Sequence, residues 1–318
     1  MVHESVTSVN FPQPTKIDTN GVTLEVFCAG PSSARPVVLC HGWPEHAYAW
    51  RYQIEPLVQA GFFVIAPNQR GYGNSDRPEE VTDYDIEALT GDLEGLLDHF
   101  GYEDAVFVGH DWGAIVVWNL ALLHPNRVAG LINLSVPFLQ RGKKDWVSFW
   151  EERFGGDFYI VHFNQQPGVA DAVFNANPRR FLRNLYRKNH WKEPAPEPAP
   201  GMGMINLANA EVPPGEPLMS EAELDVFVSA FEQTGFTAGI NWYRNFARNW
   251  HLTADIPERI DHPALMIYGR YDAVGRSDKL IDFVPNVEQH TLDCGHWIQQ
   301  EQPDETNRLI LQWLSKTN

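Results

Sequence analysis

The residues that could do chemistry begin with the stretch Ala105-Val106-Phe107-Val108-Gly109-His110-Asp111-Trp112-Gly113-Ala114. An apolar, β-rich run leads into Gly-x-Asp-x-Gly and then into a strongly apolar helix that ends near His124-Pro125. Glycines two places before and two places after a side chain leave room for a strained strand-to-helix turn with that side chain at its tip, the sequence form of a nucleophile elbow. Such a turn usually presents Ser; here it presents Asp111. A carboxylate needs no deprotonation at neutral pH, but the ester it forms with a carbon centre must then be hydrolysed by an activated water. Taken alone, an Asp at a helix start is more simply a cap. The flanking glycines and the residues downstream point instead to a nucleophile.

Two further groups follow in the order nucleophile, acid, histidine. Asp272 sits in Gly269-Arg270-Tyr271-Asp272, directly after the apolar run 265–268, and His296 sits in Cys294-Gly295-His296-Trp297 after the run 289–292. Groups placed at the carboxyl ends of parallel strands gather in one crevice, so Asp111, Asp272 and His296 can converge. Asp278 and Asp293 compete with Asp272 as partner of the histidine; Asp272 leads because it follows its strand directly, whereas Asp293 suits a turn. A third loop, His41-Gly42-Trp43-Pro44, follows the run 37–40. In that place its backbone supplies one oxyanion donor, the N–H of Trp43, and the residue after the nucleophile supplies the other, the N–H of Trp112. The two indole rings can also wall a pocket.

These groups need a scaffold that brings several strand ends together. Short continuous apolar runs recur at 37–40, 62–66, 105–108, 130–134 and 264–268, with helical stretches between them. Buried parallel strands read this way because helices cover both faces of the sheet. The looser alternation of 22–28 predicts an edge strand. Alternation of β and α elements gives the α/β class with a mostly parallel sheet. After Pro137 the rhythm breaks into an aromatic-rich segment with helical patches near 145–154, 168–175, 179–188 and 221–234. The expected organisation is a core of 1–137 and 251–318 with an inserted helical cap, 138–250. Within the cap, 193–217 holds many Pro and several Gly without apolar period and is expected to be a loop, one that could border a substrate entrance. No solenoid-length repeat occurs.

The bulk numbers agree with one core plus an insertion: 318 residues, 43% hydrophobic and 20% charged. A formal charge of -17 opposes nucleic acid and anionic membrane surfaces, which select clustered Lys and Arg. Three cysteines, Cys28, Cys40 and Cys294, make neither a disulfide framework nor a metal-ligand spacing. The first ten residues lack a basic start and an apolar run, and no stretch approaches the roughly 18 apolar residues of a membrane helix. A cytoplasmic protein is expected.

Taken together, the motifs resemble those of the α/β-hydrolase superfamily, specifically its epoxide hydrolases, over essentially the whole chain. His41-Gly42-Trp43-Pro44 matches that family's His-Gly-x-Pro, which implies a cis bond before Pro44, and Gly71-Tyr72-Gly73-Asn74-Ser75 matches its Gly-x-Gly-x-Ser. The resemblance implies an α/β-hydrolase fold, with a mostly parallel eight-stranded sheet, helices on both faces and a helical cap. It also implies two cap tyrosines above the nucleophile: Tyr159, in Phe158-Tyr159-Ile160-Val161-His162-Phe163, and Tyr243, in Asn241-Trp242-Tyr243-Arg244-Asn245. Protonated at neutral pH, both phenols can bind an epoxide oxygen and protonate the developing alkoxide. The implied partners are a small apolar epoxide and water, with no metal or organic cofactor; a homodimer paired through helical caps is compatible with the fold. Cap residues Trp146, Trp150, Phe154, Phe158 and Phe174 suggest an apolar pocket, unless several of them form the cap's own core.

Two other readings are weighed against this one. A dehalogenase of the same superfamily also uses an Asp nucleophile and a histidine base, and the indole of Trp112 suits a halide. Haloalkane dehalogenases, however, usually place a polar side chain where Trp43 stands, and haloacetate dehalogenases an Arg where Trp112 stands. A non-catalytic small-molecule receptor on this fold would commonly lack a catalytic member, whereas Asp111, Asp272 and His296 are all present.

Overall fold

The computed structural model describes residues 11–192, 203–213 and 215–317. Eight strands form one sheet: β1 (Pro14–Thr19), β2 (Val22–Ala29), β3 (Pro36–Cys40), β4 (Phe63–Asn68), β5 (Ala105–His110), β6 (Val128–Leu134), β7 (Ala264–Gly269) and β8 (Val287–Leu292). Their spatial order is β1-β2-β4-β3-β5-β6-β7-β8. The pairs β1–β2 and β2–β4 are antiparallel and all others parallel. The stretch expected to be an edge is therefore internal: β2 is paired on both sides, and the edge is β1, too polar to signal itself.

The continuous apolar runs divide by parity between two cores. Val38, Cys40, Ile65, Phe107, Leu131 and Met266 face the helices Ile86–Phe100 and Trp112–Leu123, through Leu89, Leu93, Leu96, Val116 and Val117. Val37, Leu39, Val64, Val106, Val108, Ile132 and Leu265 face the other way, toward Leu309, Ile310, Trp313 and Leu314 of the helix Pro303–Thr317. Successive strand side chains point to opposite faces, so both parities are apolar when both faces are covered. Ile86–Phe100 starts where the Asp85 carboxylate accepts the Ala88 N–H and stops at Gly101, whose φ of 75° suits a residue without Cβ.

Between β6 and β7 the chain forms a layer of helices above the carboxyl ends of the strands. The sequence-derived helices appear as Trp146–Phe154, Val169–Ala176, Pro178–Leu185 and Glu221–Thr234, joined by Tyr159–Gln165, Thr237–Arg244 and Phe246–Leu252. The expected loop 193–217 is only partly within the described residues, and there it contains a helix, Gly203–Asn209, and a short strand, Glu216–Pro217, paired with Arg187–Lys188. Seven residues are too few to show a period. The helix is held instead by burial of Ile205 and Ala208 and by the Asn184 amide, which donates to the carbonyls of Leu207 and Ala210 at 2.8 Å each. Among the described residues no helix is long and apolar enough to cross a membrane.

One buried cation ties this layer to the sheet. Arg51 is 1% exposed; its Nε donates to Glu223 Oε1 at 2.7 Å and its Nη1 to Gln300 Oε1 at 2.8 Å. Glu223 also accepts the Tyr52 hydroxyl at 2.5 Å and closes the capping box with Ser220 at the start of Glu221–Thr234. Its carboxyl is driven down to about 2: burial alone would raise it, but Tyr52, Arg51 and the Ser220 N–H favour the charged form. Arg51→Met removes the cation and leaves that carboxylate half-compensated. Because Glu223 keeps some contact with water, the expected loss is about 2 kcal/mol, below the 3–5 of a fully buried pair. Urea unfolding monitored by fluorescence checks it; a change under about 0.5 kcal/mol contradicts the clasp.

Candidate active site

Asp111 sits at the junction of β5 and Trp112–Leu123 with φ 51° and ψ -118°, a conformation that a residue with a Cβ adopts only under strain. The surrounding glycines are steric necessities. A Cβ on Gly113 would lie 2.0 Å from the Cys40 carbonyl oxygen, and one on Gly42 would lie 2.5 Å from Asp111 Cβ. The Asp111 carboxylate does not cap its own helix; it turns back, and Oδ1 accepts the Trp43 N–H at 2.9 Å. Burial lifts this carboxyl above its ordinary range, opposed by His296, His110 and the N–H groups of Trp43 and Trp112. Both N–H groups expected to form the oxyanion hole thus act on the carboxyl group of Asp111 itself.

The loop carrying Trp43 is braced from below. His41 Nε2 accepts the Gln69 N–H at 3.1 Å, its Nδ1 lies 2.9 Å from the Gly42 carbonyl, and Gln69 Nε2 donates to the His41 carbonyl at 2.7 Å. Burial pushes His41 down to about 4, so it is a neutral brace and not a catalytic base. The Trp43-Pro44 bond is cis, and the Tyr186 hydroxyl donates to the Pro44 carbonyl. Tyr72, from the Gly-x-Gly-x-Ser motif, packs edge-on against His41 with ring centroids 4.6 Å apart.

His296 stands between two carboxylates. Its Nε2 lies 3.6 Å from Asp111 Oδ2, and its Nδ1 lies 3.0 and 3.1 Å from Asp272 Oδ1 and Oδ2. Burial disfavours the imidazolium, but Asp272, then Asp111 and Glu45, outweigh it and raise the histidine to about 9. The Asp272 carboxyl is conversely held below the usual range: burial raises it, while His296, the Ser135 hydroxyl and the Val274 N–H lower it further. Of its two sequence rivals, Asp293 is exposed and paired with Arg270. Asp278 is exposed, whereas Asp272 is the carboxylate that meets His296 Nδ1.

Other polar residues behind the site escaped the sequence reading. Glu45 and His110 are fully buried; His110 Nδ1 lies 2.8 Å from Glu45 Oε2, and its Nε2 donates to the His296 carbonyl at 2.8 Å. Glu45 also accepts the Gly42 N–H and the amides of Gln299 and Gln300 at 3.1, 3.0 and 2.8 Å. Burying a carboxylate needs this many donors. Nothing local distinguishes Glu45 from a surface acid except its place directly after the His-Gly-Trp-Pro loop. Ser135, at the end of β6, was missed too.

Tyr159 starts the helix Tyr159–Gln165, and Tyr243 lies in Thr237–Arg244. Their rings meet edge-on at 5.8 Å, and Tyr243 packs edge-on against Trp43 and Trp112 at 5.4 and 5.1 Å. Burial and the nearby Asp111 charge raise both phenols above their ordinary value, which keeps them protonated. Arg244 joins the two helices, donating from Nε to the Phe163 carbonyl at 3.1 Å and from Nη2 to Asp171 at 2.7 Å. Two largely apolar cavities meet at Asp111, Tyr159 and Tyr243. One, about 330 Å³, reaches toward Leu185, Met204 and Leu207; the other, about 300 Å³, toward Trp146, Trp150, Phe154 and Phe158. Phe174 lines neither: it is buried and stacked on Phe181 at 4.0 Å, within the packing of the helical layer. Among the described residues no group of three or more His, Cys, Asp or Glu is placed to hold a metal ion.

The alpha/beta hydrolase fold family matches residues 35–303. Epoxide hydrolase A of Mycobacterium tuberculosis is 44% identical over 317 residues, covering 96% of this chain and 98% of that protein. Bifunctional epoxide hydrolase 2 of Sus scrofa is 36% identical over 92% of this chain, which spans only 53% of that longer protein. Among solved structures, Epoxide Hydrolase A from Mycobacterium thermoresistibile superposes with a TM-score of 0.86 at 41% identity, over 96% of this chain and 98% of that one. Potato (Solanum tuberosum) epoxide hydrolase I does so with 0.84 at 31% identity, over 96% and 99%. With the elbow, the histidine and the paired phenols in one crevice, these matches establish that the chain belongs to the α/β-hydrolase fold family, among its epoxide hydrolases.

Proposed function

We propose that this protein converts an epoxide and water into a vicinal diol through a covalent ester on Asp111. The observation that carries the reading is the placement of the Asp111 carboxylate beneath two protonated phenols and 3.6 Å from a histidine Nε2. Residues 138–250 act as the cap and supply the acid, while 1–137 and 251–318 form the core and supply nucleophile, base and oxyanion donors.

In the first step Asp111 Oδ2 attacks one epoxide carbon and the C–O bond breaks. Tyr159 and Tyr243 hold the departing oxygen, and one of them protonates it. The product is a hydroxyalkyl ester whose carbonyl oxygen is Asp111 Oδ1. In the second step His296, with Nδ1 directed by Asp272, takes a proton from water through Nε2, and the hydroxide adds to the ester carbonyl. The N–H groups of Trp43 and Trp112 hold the oxyanion on Oδ1. On collapse His296 returns its proton to the leaving diol, and the carboxylic proton left on Asp111 restores the phenolate. Halide would leave without a proton and give the paired phenols no task, which sets this reading apart from a dehalogenase. Two cavities at Asp111 leave room for apolar substituents on both epoxide carbons. Three free cysteines suit a reducing cytoplasm.

The charge balance changes between the two steps. In the free enzyme His296 is raised to about 9 partly by Asp111, so at neutral pH it is an imidazolium. Esterification abolishes the Asp111 charge, and the histidine then falls toward neutrality and can act as a base. The rate of ester hydrolysis should therefore rise with pH along an acidic limb centred below the value of about 9 that His296 has in the free enzyme. Rapid-quench measurement of ester decay between about pH 5 and about pH 9 reads this limb. A decay rate flat across that range contradicts the base assignment.

Styrene oxide is a suitable first substrate, and its conversion to diol separates an enzyme from a receptor that binds without turnover. His296→Gln should alkylate normally yet turn over about a thousandfold more slowly, so the Asp111 peptide gains the mass of the epoxide in intact-protein and peptide mass spectrometry. Normal turnover in this variant would remove His296 from the mechanism.

A further inference from the structure

We propose that Ser135 is a positioning residue for the hydrolytic half of the reaction, its hydroxyl fixing the Asp272 carboxylate against His296. The inference rests on the reading of Asp272 and His296 given above.

Ser135 is the first residue beyond β6, and its backbone is under constraint. Its N–H donates to the Ile267 carbonyl of β7 at 3.0 Å, and the next N–H, of Val136, donates back to the Leu134 carbonyl at 2.9 Å. That second bond closes a three-residue turn with Ser135 at its centre and φ 71°. The positive-φ form of such a turn is rare and strained, and a glycine or asparagine suits it better than a serine. Strain of this kind persists where the surroundings enforce it, most often at functional sites.

The side chain supplies the reason. Ser135 is fully buried, and its Oγ lies 2.6 Å from Asp272 Oδ2 and 3.1 Å from His296 Nδ1. An ionised carboxylate only accepts, so the serine proton goes to Oδ2. Asp272 then holds three donors: this hydroxyl, the Val274 N–H at 2.9 Å and the His296 Nδ1–H. With Nδ1–H committed, the bare lone pair of the neutral imidazole is on Nε2, toward Asp111. Without the hydroxyl, Asp272 loses a strong charge-assisted bond and one of its fixed contacts. The groups facing His296 and Asp272 are Asp111 at the elbow, Glu45 after β3, His110 at the end of β5, Cys294 just before the histidine, Glu301 of the helix Ile298–Glu301, and Tyr159 and His190 above. Ser135 adds to these a neutral donor that carries no charge of its own. Losing its hydroxyl leaves the Asp272 charge less compensated, so the proton on His296 is held more tightly and the acidic limb of hydrolysis moves to higher pH.

The test uses two variants in single-turnover reactions with styrene oxide. Ser135→Gly removes the hydroxyl and relieves the backbone; Ser135→Cys keeps the backbone and the approximate shape but offers only a weak donor. Both should form the Asp111 ester within about twofold of the wild-type rate, hydrolyse it on the order of tenfold more slowly, and shift the acidic limb upward. Wild-type hydrolysis with an unmoved limb in whichever variant folds overturns the proposal; so does a defect in Ser135→Cys alone, which would assign the effect to shape. Diol produced by the wild-type protein without any Asp111 ester is a separate outcome: it overturns the mechanism on which the proposal rests.

Discussion

A carboxylate removed from water must be compensated by its surroundings, and the compensation of Asp111 organises this molecule. The parallel strands end in one crevice, the Trp43 loop bends over Gly42 to bring an N–H within 2.9 Å of Oδ1, and His296 faces Oδ2. That compensation is incomplete, since the carboxyl remains above its ordinary range. A partly desolvated carboxylate is a stronger nucleophile than a hydrated one, and in the mechanism proposed above the same donors would hold the oxyanion on the same atom.

The helical layer completes the arrangement from above. Arg244 links the helices of Tyr159 and Tyr243, and Trp43, Trp112 and Phe163 pack edge-on around Tyr243. The phenols are therefore held protonated in an apolar setting, which suits the acid role proposed for them. The clasp between Arg51 and Glu223 continues through Gln300 to Glu45, then His110 and the carbonyl of His296. Each of these buried polar groups is compensated by the next, so the seating of the cap and the placing of the histidine share one hydrogen-bonded chain.

The α/β class, most strands of the sheet and the helices 146–154 and 221–234 were legible because their signals are local, in apolar runs and helical patches, whereas the count of eight strands followed only from the family resemblance. Asp111 was legible because its glycines are steric requirements of the elbow. What the sequence could not express was partnership across distance. The edge position assigned to β2 failed because pairing with β4 depends on residues about forty places on. The helix Gly203–Asn209 was invisible because Asn184, outside it, holds it. Glu45, His110 and Ser135 act only through contacts made in the folded chain, and Phe174 could be given to neither pocket nor core because an aromatic ring looks the same in a wall and in a core.

In the mechanism proposed above, water attacks an ester on Asp111 and not the epoxide itself. One turnover of styrene oxide with the enzyme in excess in water enriched in oxygen-18, followed by mass spectrometry of the diol and of the Asp111 peptide, separates the two routes. The heavy oxygen should enter the Asp111 carboxylate while the diol takes its new oxygen, unlabelled, from the enzyme. Heavy oxygen in the diol with none on Asp111 would mean direct attack by water and would contradict that mechanism.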